Sequence, residues 1–154
     1  MQTVGKKFET ALKNCLYTLQ RESGIFIHRF KDSTSAGRIL GNSPADFLVA
    51  ANGHAQIWEA KSSEVRTTLR SCLSSMVDHD QVGHHNLWHA NGLKSYFFFY
   101  SDLTGLVEIW DGETIVESRK NRRVLNHQDM VCACDINRLT DELRNLLGYM
   151  RHTQ

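Results

Sequence analysis

Proline occurs once in this chain of 154 residues, as Pro44. No apolar run approaches the roughly 18 residues that a membrane-spanning helix requires, so an integral helical membrane protein is excluded. Residues 1–7 are polar and lack the apolar stretch of a secretory signal, which makes a cytoplasmic location the default expectation. Neither sign of charge dominates: 18 Lys and Arg against 17 Asp and Glu leave a net charge of +1, unlike a strongly basic DNA-coating protein. Cysteine is sparse, and Cys132 and Cys134 stand too close for a zinc knuckle and lack a second half, so free thiols are expected. There is no internal repeat and no linker; the length suits one domain with its own core.

Residues 4–22 have the periodicity of an amphipathic helix, with Val4, Phe8, Ala11, Leu12, Cys15 and Leu19 on one arc and Gly24 as its stop. Residues 25–30 read as a strand, and residues 31–44 as a polar Ser, Gly and Thr segment closed by Pro44. Strands are predicted over 46–50 and 55–61, joined at Asn52-Gly53. A mainly helical stretch follows over 65–90, broken near 74–78, with Asp78 and Gln81 in capping-box order and Asn91-Gly92 as a stop. The aromatic segment 95–101 reads as a strand buried on both faces. Residues 106–110 and 114–117 suggest a hairpin about Asp111-Gly112, and Leu139, Leu143, Leu146 and Met150 mark a final helix. The fold class predicted is mixed α/β, a single domain with a central mixed sheet flanked by helices. Residues 118–135 offer no clear role.

The most informative segment is the pair of strands about Asn52-Gly53. A two-residue type I′ turn, which needs positive φ at both positions, suits Asn-Gly. Pairing outward from that turn sets Asp46 opposite Glu59, and directly opposed residues share a face with Cβ atoms about 4.5–5.5 Å apart. Lys61, two residues on, projects from the same face. Two carboxylates about 5 Å apart repel by about 3 kcal/mol at an effective dielectric near 20, so they call for a neutralising partner. Mg²⁺ prefers carboxylate oxygens and retains waters, and the carbonyl of Ala60 could add a ligand. An ammonium beside the metal can orient water or stabilise charge on a phosphate. The plainer alternative is that Asp46 caps a strand start while Glu59 and Lys61 form a solvent-facing charge pattern.

Pro44-Ala45-Asp46 followed by Glu59-Ala60-Lys61 resembles the PD-(D/E)XK nuclease superfamily, whose restriction-endonuclease-like fold matches the class above. Gly5-Lys6-Lys7-Phe8-Glu9, His79-Asp80-Gln81, Asn91-Gly92 and the apolar strand from Tyr96 to Tyr100 add a resemblance to Holliday-junction resolvases of the RecU and archaeal types. The likeness spans roughly residues 5–101. The segment 31–44 is shorter than the stalk usual in RecU proteins, and Pro-Ala-Asp replaces that subfamily's commoner motif. The resemblance implies a homodimer, with Mg²⁺ or Mn²⁺, nicking opposed strands of a four-way DNA junction. It implies metal ligation by Asp46, Glu59, the Ala60 carbonyl and Glu9, with Lys61 and Gln81 assisting. Lys6, Lys7, Arg29, Lys31, Ser33, Ser35 and Arg38 are the candidate DNA contacts. A related nuclease acting on duplex or flaps, or a silent DNA-binding module, are the alternatives.

Two further constellations compete for attention. His79, His84, His85 and His89 faintly suggest an HNH-type nuclease or a zinc site, but all four fall in one helical stretch, where satisfied or DNA-facing histidines are the ordinary reading. Gln81 is either the last member of a capping box or a residue orienting water and phosphate. Trp58 and the aromatic run at 96–100 read as core.

Overall fold

The computed structural model describes residues 3–30, 43 and 45–152, with side chains as far as residue 148. Helix α1, Val4–Ser23, begins where the Thr3 side chain accepts from the Lys6 amide and ends at Gly24, whose φ of 67° is left-handed. Strands β1 Phe26–Arg29, β2 Phe47–Ala51 and β3 His54–Ser63 follow. Helices α2 Leu73–Met76 and α3 His79–Ala90 then cross to β4 Lys94–Ser101. Strand β5 Leu106–Asp111, α4 Gly112–Lys120, β6 Met130–Asp135 and α5 Leu139–His152 complete the chain.

The six strands form one sheet in sequence order, with β3–β4 parallel and every other pairing antiparallel. The predicted mixed α/β class is therefore the observed one. A parallel pair needs a crossover, which α2 and α3 provide on one face. That face carries Phe97, Phe99 and Trp110 packed with Leu69, Val77 and Ile115. The opposite face carries Trp58, Phe98, Phe47 and Val49 under α1 and α5, through Phe8, Leu12, Leu16, Leu139 and Leu143. The sheet is thus buried on both sides, as the aromatic content of β4 implies, with Phe97, Phe98 and Phe99 all fully enclosed. Among the described residues, no helix is long and apolar enough to cross a membrane.

The turn at Asn52 and Gly53 has φ values of 55° and 81°, as a type I′ hairpin demands. Ala51 pairs with His54 and the register runs out to Phe47 with Trp58, which is the predicted alignment.

Three expectations need correction. The hairpin about Asp111-Gly112 does not form: Gly112–Lys120 is helical, and Asp111 caps it by accepting from the Glu113 amide at 2.8 Å. Residues 114–117 are therefore helix, with Ile115 and Val116 turned into the core. The sixth strand lies within the stretch that carried no assignment, and residues 65–68 are not helical.

Gly112 meets a second demand. A Cβ there would lie 1.7 Å from the Ser95 hydroxyl oxygen and 2.9 Å from the Ser95 carbonyl oxygen, so only glycine lets α4 start this close to β4. Gly112→Ala should lower stability by about 1–3 kcal/mol in urea denaturation, the usual range for overpacking; a variant as stable as the parent would contradict the close approach.

Candidate active site

Strand β3 outruns β2. Residues 54–58 pair with β2, whereas residues 59–63 keep β4 on one side and, among the described residues, have no strand on the other. The chain enters β2 at this step. The Asp46 amide donates to the Trp58 carbonyl at 3.1 Å, and the Asp46 carbonyl accepts from the Phe30 amide at 2.8 Å. The next ladder donor, the Ala60 amide, is taken by the Asp46 side chain, with Oδ2 accepting at 2.7 Å. A carboxylate thus stands where another strand residue's carbonyl would be. In an antiparallel ladder a residue offers its N–H and C=O to the same side, so the Ala60 carbonyl turns toward this overhang as well.

Glu59 and Lys61 alternate with Trp58 and Ala60, and so project from the face covered by α3. Glu59 is only 6% exposed. Gln81 on α3 donates from Nε2 to Glu59 Oε1 at 3.0 Å, and its Oε1 accepts from Lys61 Nζ at 3.1 Å. Lys61 Nζ also lies 3.4 Å from Glu59 Oε1. The two readings of Gln81 are compatible. Asp78 caps α3 by accepting from the Gln81 amide at 2.9 Å, and the Asp78 amide donates back to Gln81 Oε1 at 3.3 Å. The capping box holds the Gln81 side chain in the one place from which it spans Glu59 and Lys61.

Electrostatics mark Asp46 and Glu59 as a pair. Burial, then the Asp46 charge, pushes the Glu59 carboxyl up to about 8, against the opposing pull of Lys61. Burial also pushes Asp46 up to about 6, with the Ala60 amide pulling it down and the Glu9 charge pushing it further up. A hydrogen bond between the two carboxyls favours the proton on Glu59 and the charge on Asp46. This is how a protein holds two buried acids in contact when only protons are available.

Asp46, Glu59, Lys61 and Gln81 are thus brought together. Glu9 is not: it approaches from α1 and is engaged by Arg29, whose Nε donates to Glu9 Oε1 at 2.7 Å and whose Nη2 contacts the same oxygen. That pairing occupies both the expected fourth ligand and one expected DNA contact. Lys6 and Lys7 are exposed in the first turns of α1. Lys31, Ser33, Ser35, Arg38 and Pro44 lie outside the described residues. Among the described residues, no group of three or more His, Cys, Asp or Glu side chains is placed to hold a metal. The donor set fits Mg²⁺ all the same, because Mg²⁺ keeps several waters and is commonly held by one or two carboxylates.

Within the histidine stretch, His85 and His89 share one partner on β4, whereas the buried His84 Nδ1 has no hydrogen-bond partner among the described residues. His85 is fully buried against Phe97, and the Ser95 hydroxyl lies 2.9 Å from His85 Nδ1 and 2.6 Å from His89 Nε2. Burial lowers the His89 imidazole below its usual range. The cysteines are free, and burial pushes Cys132 up to about 12 and Cys134 up to about 11, which keeps both as thiols.

Two supporting residues had no signal in the sequence. Arg119 on α4 donates from Nε to the Val77 carbonyl at 2.9 Å, fixing the chain just ahead of the Asp78 cap. Buried Glu108 accepts from the Leu69 amide at 2.9 Å and from Trp110 Nε1 at 3.1 Å, anchoring the segment that follows β3. Both act across more than 35 residues of sequence, where no local pattern reveals a partner.

No family model matches this chain, and no curated protein matches it. Among solved structures it is similar to Hjc, a Holliday junction resolvase from the archaeal hyperthermophile Archaeoglobus fulgidus, at 14% identity and a TM-score of 0.42. That similarity covers 68% of this chain and 78% of the other.

The raised carboxyls fix a pH dependence. An acid whose folded value exceeds its unfolded one stabilises fully below the unfolded value, near 4, and loses that contribution as pH rises through the folded value. Metal-free protein should therefore melt at lower temperature at pH 8.5 than at pH 5.5, other titrations being subtracted with Glu59→Gln. That variant should out-melt the parent at pH 8.5 by a margin that shrinks on acidification; each pKa unit retained corresponds to about 1.4 kcal/mol, or about 3–6 °C. Parallel melting curves for the two proteins in EDTA across this range would contradict the buried pair.

Proposed function

We propose that this chain is a divalent-metal-dependent DNA endonuclease of the PD-(D/E)XK type, acting on four-way junctions as a homodimer. The observation that carries the reading is the contact between Asp46 and Glu59 at the β3 overhang, with Lys61 and Gln81 bonded to the same acid. The likeness of Gly5 to Glu9, Pro44 to Asp46, Glu59 to Lys61 and His79 to Gln81 to the resolvase motifs supports the junction and the dimer. A two-fold symmetric protein also suits a two-fold symmetric junction.

Asp46 and Glu59, with the Ala60 carbonyl, are the groups that would hold Mg²⁺ or Mn²⁺. Such a cation supplies Lewis-acid stabilisation of the phosphate and acidifies water. Lys61 offers an ammonium beside the scissile phosphate, where it favours the charge that builds during attack. Gln81, fixed by its cap, sets the direction of Lys61 and Glu59 together. Burial of Glu59 lowers the local dielectric and strengthens each of these interactions.

A synthetic four-way junction should be nicked in pairs by the protein in Mg²⁺ or Mn²⁺, with linear duplex and flap DNA left intact. Cutting of all three substrates would transfer the reading to a duplex or flap nuclease of the same type; binding with no cutting in any metal would leave a silent DNA-binding module. Asp46→Ala and Glu59→Ala should cut at below about one-thousandth of the parent rate while still binding the junction, and parent-like rates in either would refute the site. Gln81→Glu keeps the capping box but replaces the amide donor to Glu59 with an acid. Cutting should fall by about 10–100-fold with the melting temperature little changed; unchanged cutting would reduce Gln81 to its structural role.

A further inference from the structure

Glu9 and Arg29 come from the two elements that flank the β2 entry. Arg29 ends β1 opposite Phe47, and the next residue, Phe30, donates its amide to the Asp46 carbonyl at 2.8 Å. The Arg29–Glu9 pair therefore stands one residue from Asp46. Ion pairing is shared unequally with solvent: the Glu9 side chain is 24% exposed and that of Arg29 47%. The inner member is the acid, and the outer member is the cation. The Glu9 charge already reaches Asp46, where it opposes ionisation.

We propose that Arg29 is a positioning residue that holds Glu9 off the Asp46–Glu59 pair in the DNA-free protein, and that a DNA phosphate, by taking the Arg29 guanidinium, frees Glu9 to complete the cation site. The proposal rests on the nuclease reading above. Its physical basis is competition for one guanidinium. Arg binds phosphate through two parallel hydrogen bonds, whereas an ion pair as exposed as this one is held weakly. A third acid beside two buried ones is repelled until a cation is present, and pairing with Arg29 lessens that repulsion in the DNA-free protein. Once phosphate claims Arg29, the third acid adds to cation binding instead. DNA and cation then strengthen one another's binding, and the coupling is reciprocal.

Mn²⁺ titration by calorimetry on the DNA-free protein tests this without any cleavage. Arg29→Gln should bind Mn²⁺ about five-fold or more tightly than the parent, the lower end of ordinary coupling between sites. Glu9→Gln should bind like the parent. In the Glu9→Gln background, Arg29→Gln should change little, which separates release of Glu9 from the mere loss of a nearby positive charge. Melting temperatures within a few degrees of the parent establish that the variants are folded. Equal Mn²⁺ affinity in the parent and Arg29→Gln, with Asp46→Ala unable to bind, overturns the restraint while leaving the cation site standing. The same gain from Arg29→Gln with and without Glu9 also overturns it. Absence of Mn²⁺ binding from parent and Arg29→Gln alike overturns the restraint and the nuclease reading together.

Discussion

The hydrogen bond from the Ala60 amide to the Asp46 carboxylate replaces a backbone ladder with a side chain, and the rest of the site follows from that substitution. A ten-residue strand beside a five-residue one must leave donors and acceptors without a neighbouring strand to pair with. Here the shortfall is met by an acid at the mouth of the shorter strand. Because Asp46 must turn toward Ala60 to do this, its charge is brought under the sheet edge and against Glu59. Two acids in contact inside a protein are tolerable only with a proton or a cation between them. The backbone requirement thus creates the electrostatic one.

The two helix layers bear on that point differently. From the crossover face, α3 contributes Gln81, and its direction is set by the Asp78 cap, which Arg119 steadies through Val77. On the opposite face, α1 carries Glu9, which Arg29 of β1 holds outside the cluster although its charge is felt at Asp46. A side chain can meet partners from both faces only where the sheet has a gap, and the β2 entry is such a gap. The arrangement explains why Asp46 interacts with acids as far away in sequence as Glu9 and Glu59, although α1 and α3 cover opposite faces of the sheet.

What was legible in the sequence was local. Asn52-Gly53 admits essentially one kind of tight reversal, so the register from Ala51 with His54 out to Phe47 with Trp58 followed from counting along the chain; at Asp46, whose amide donates to the Trp58 carbonyl, the regular ladder ends, and the acid meets Glu59 from outside it. The Asp78 to Gln81 spacing likewise announced a helix start. Asp111-Gly112 misled because the same dipeptide serves a hairpin or a helix N-cap; here Asp111 caps α4, and the glycine answers to Ser95, distant in sequence, which leaves no room for a Cβ. Strand β6 escaped notice because its inward residues are Cys132 and Cys134, small thiols that carry little of the β-branched or aromatic signature of a strand. The Glu9–Arg29 pair could not be foreseen either, since nothing local to either residue specifies the other.

Joint binding of one cation by Asp46 and Glu59 is the proposal on which the nuclease reading stands. Anomalous X-ray diffraction from crystals soaked in Mn²⁺ tests it most directly. A manganese peak is expected between the two carboxylates, within reach of the Ala60 carbonyl. Crystals that take up Mn²⁺ elsewhere, or show none while the two carboxyls remain hydrogen-bonded to each other, would contradict it.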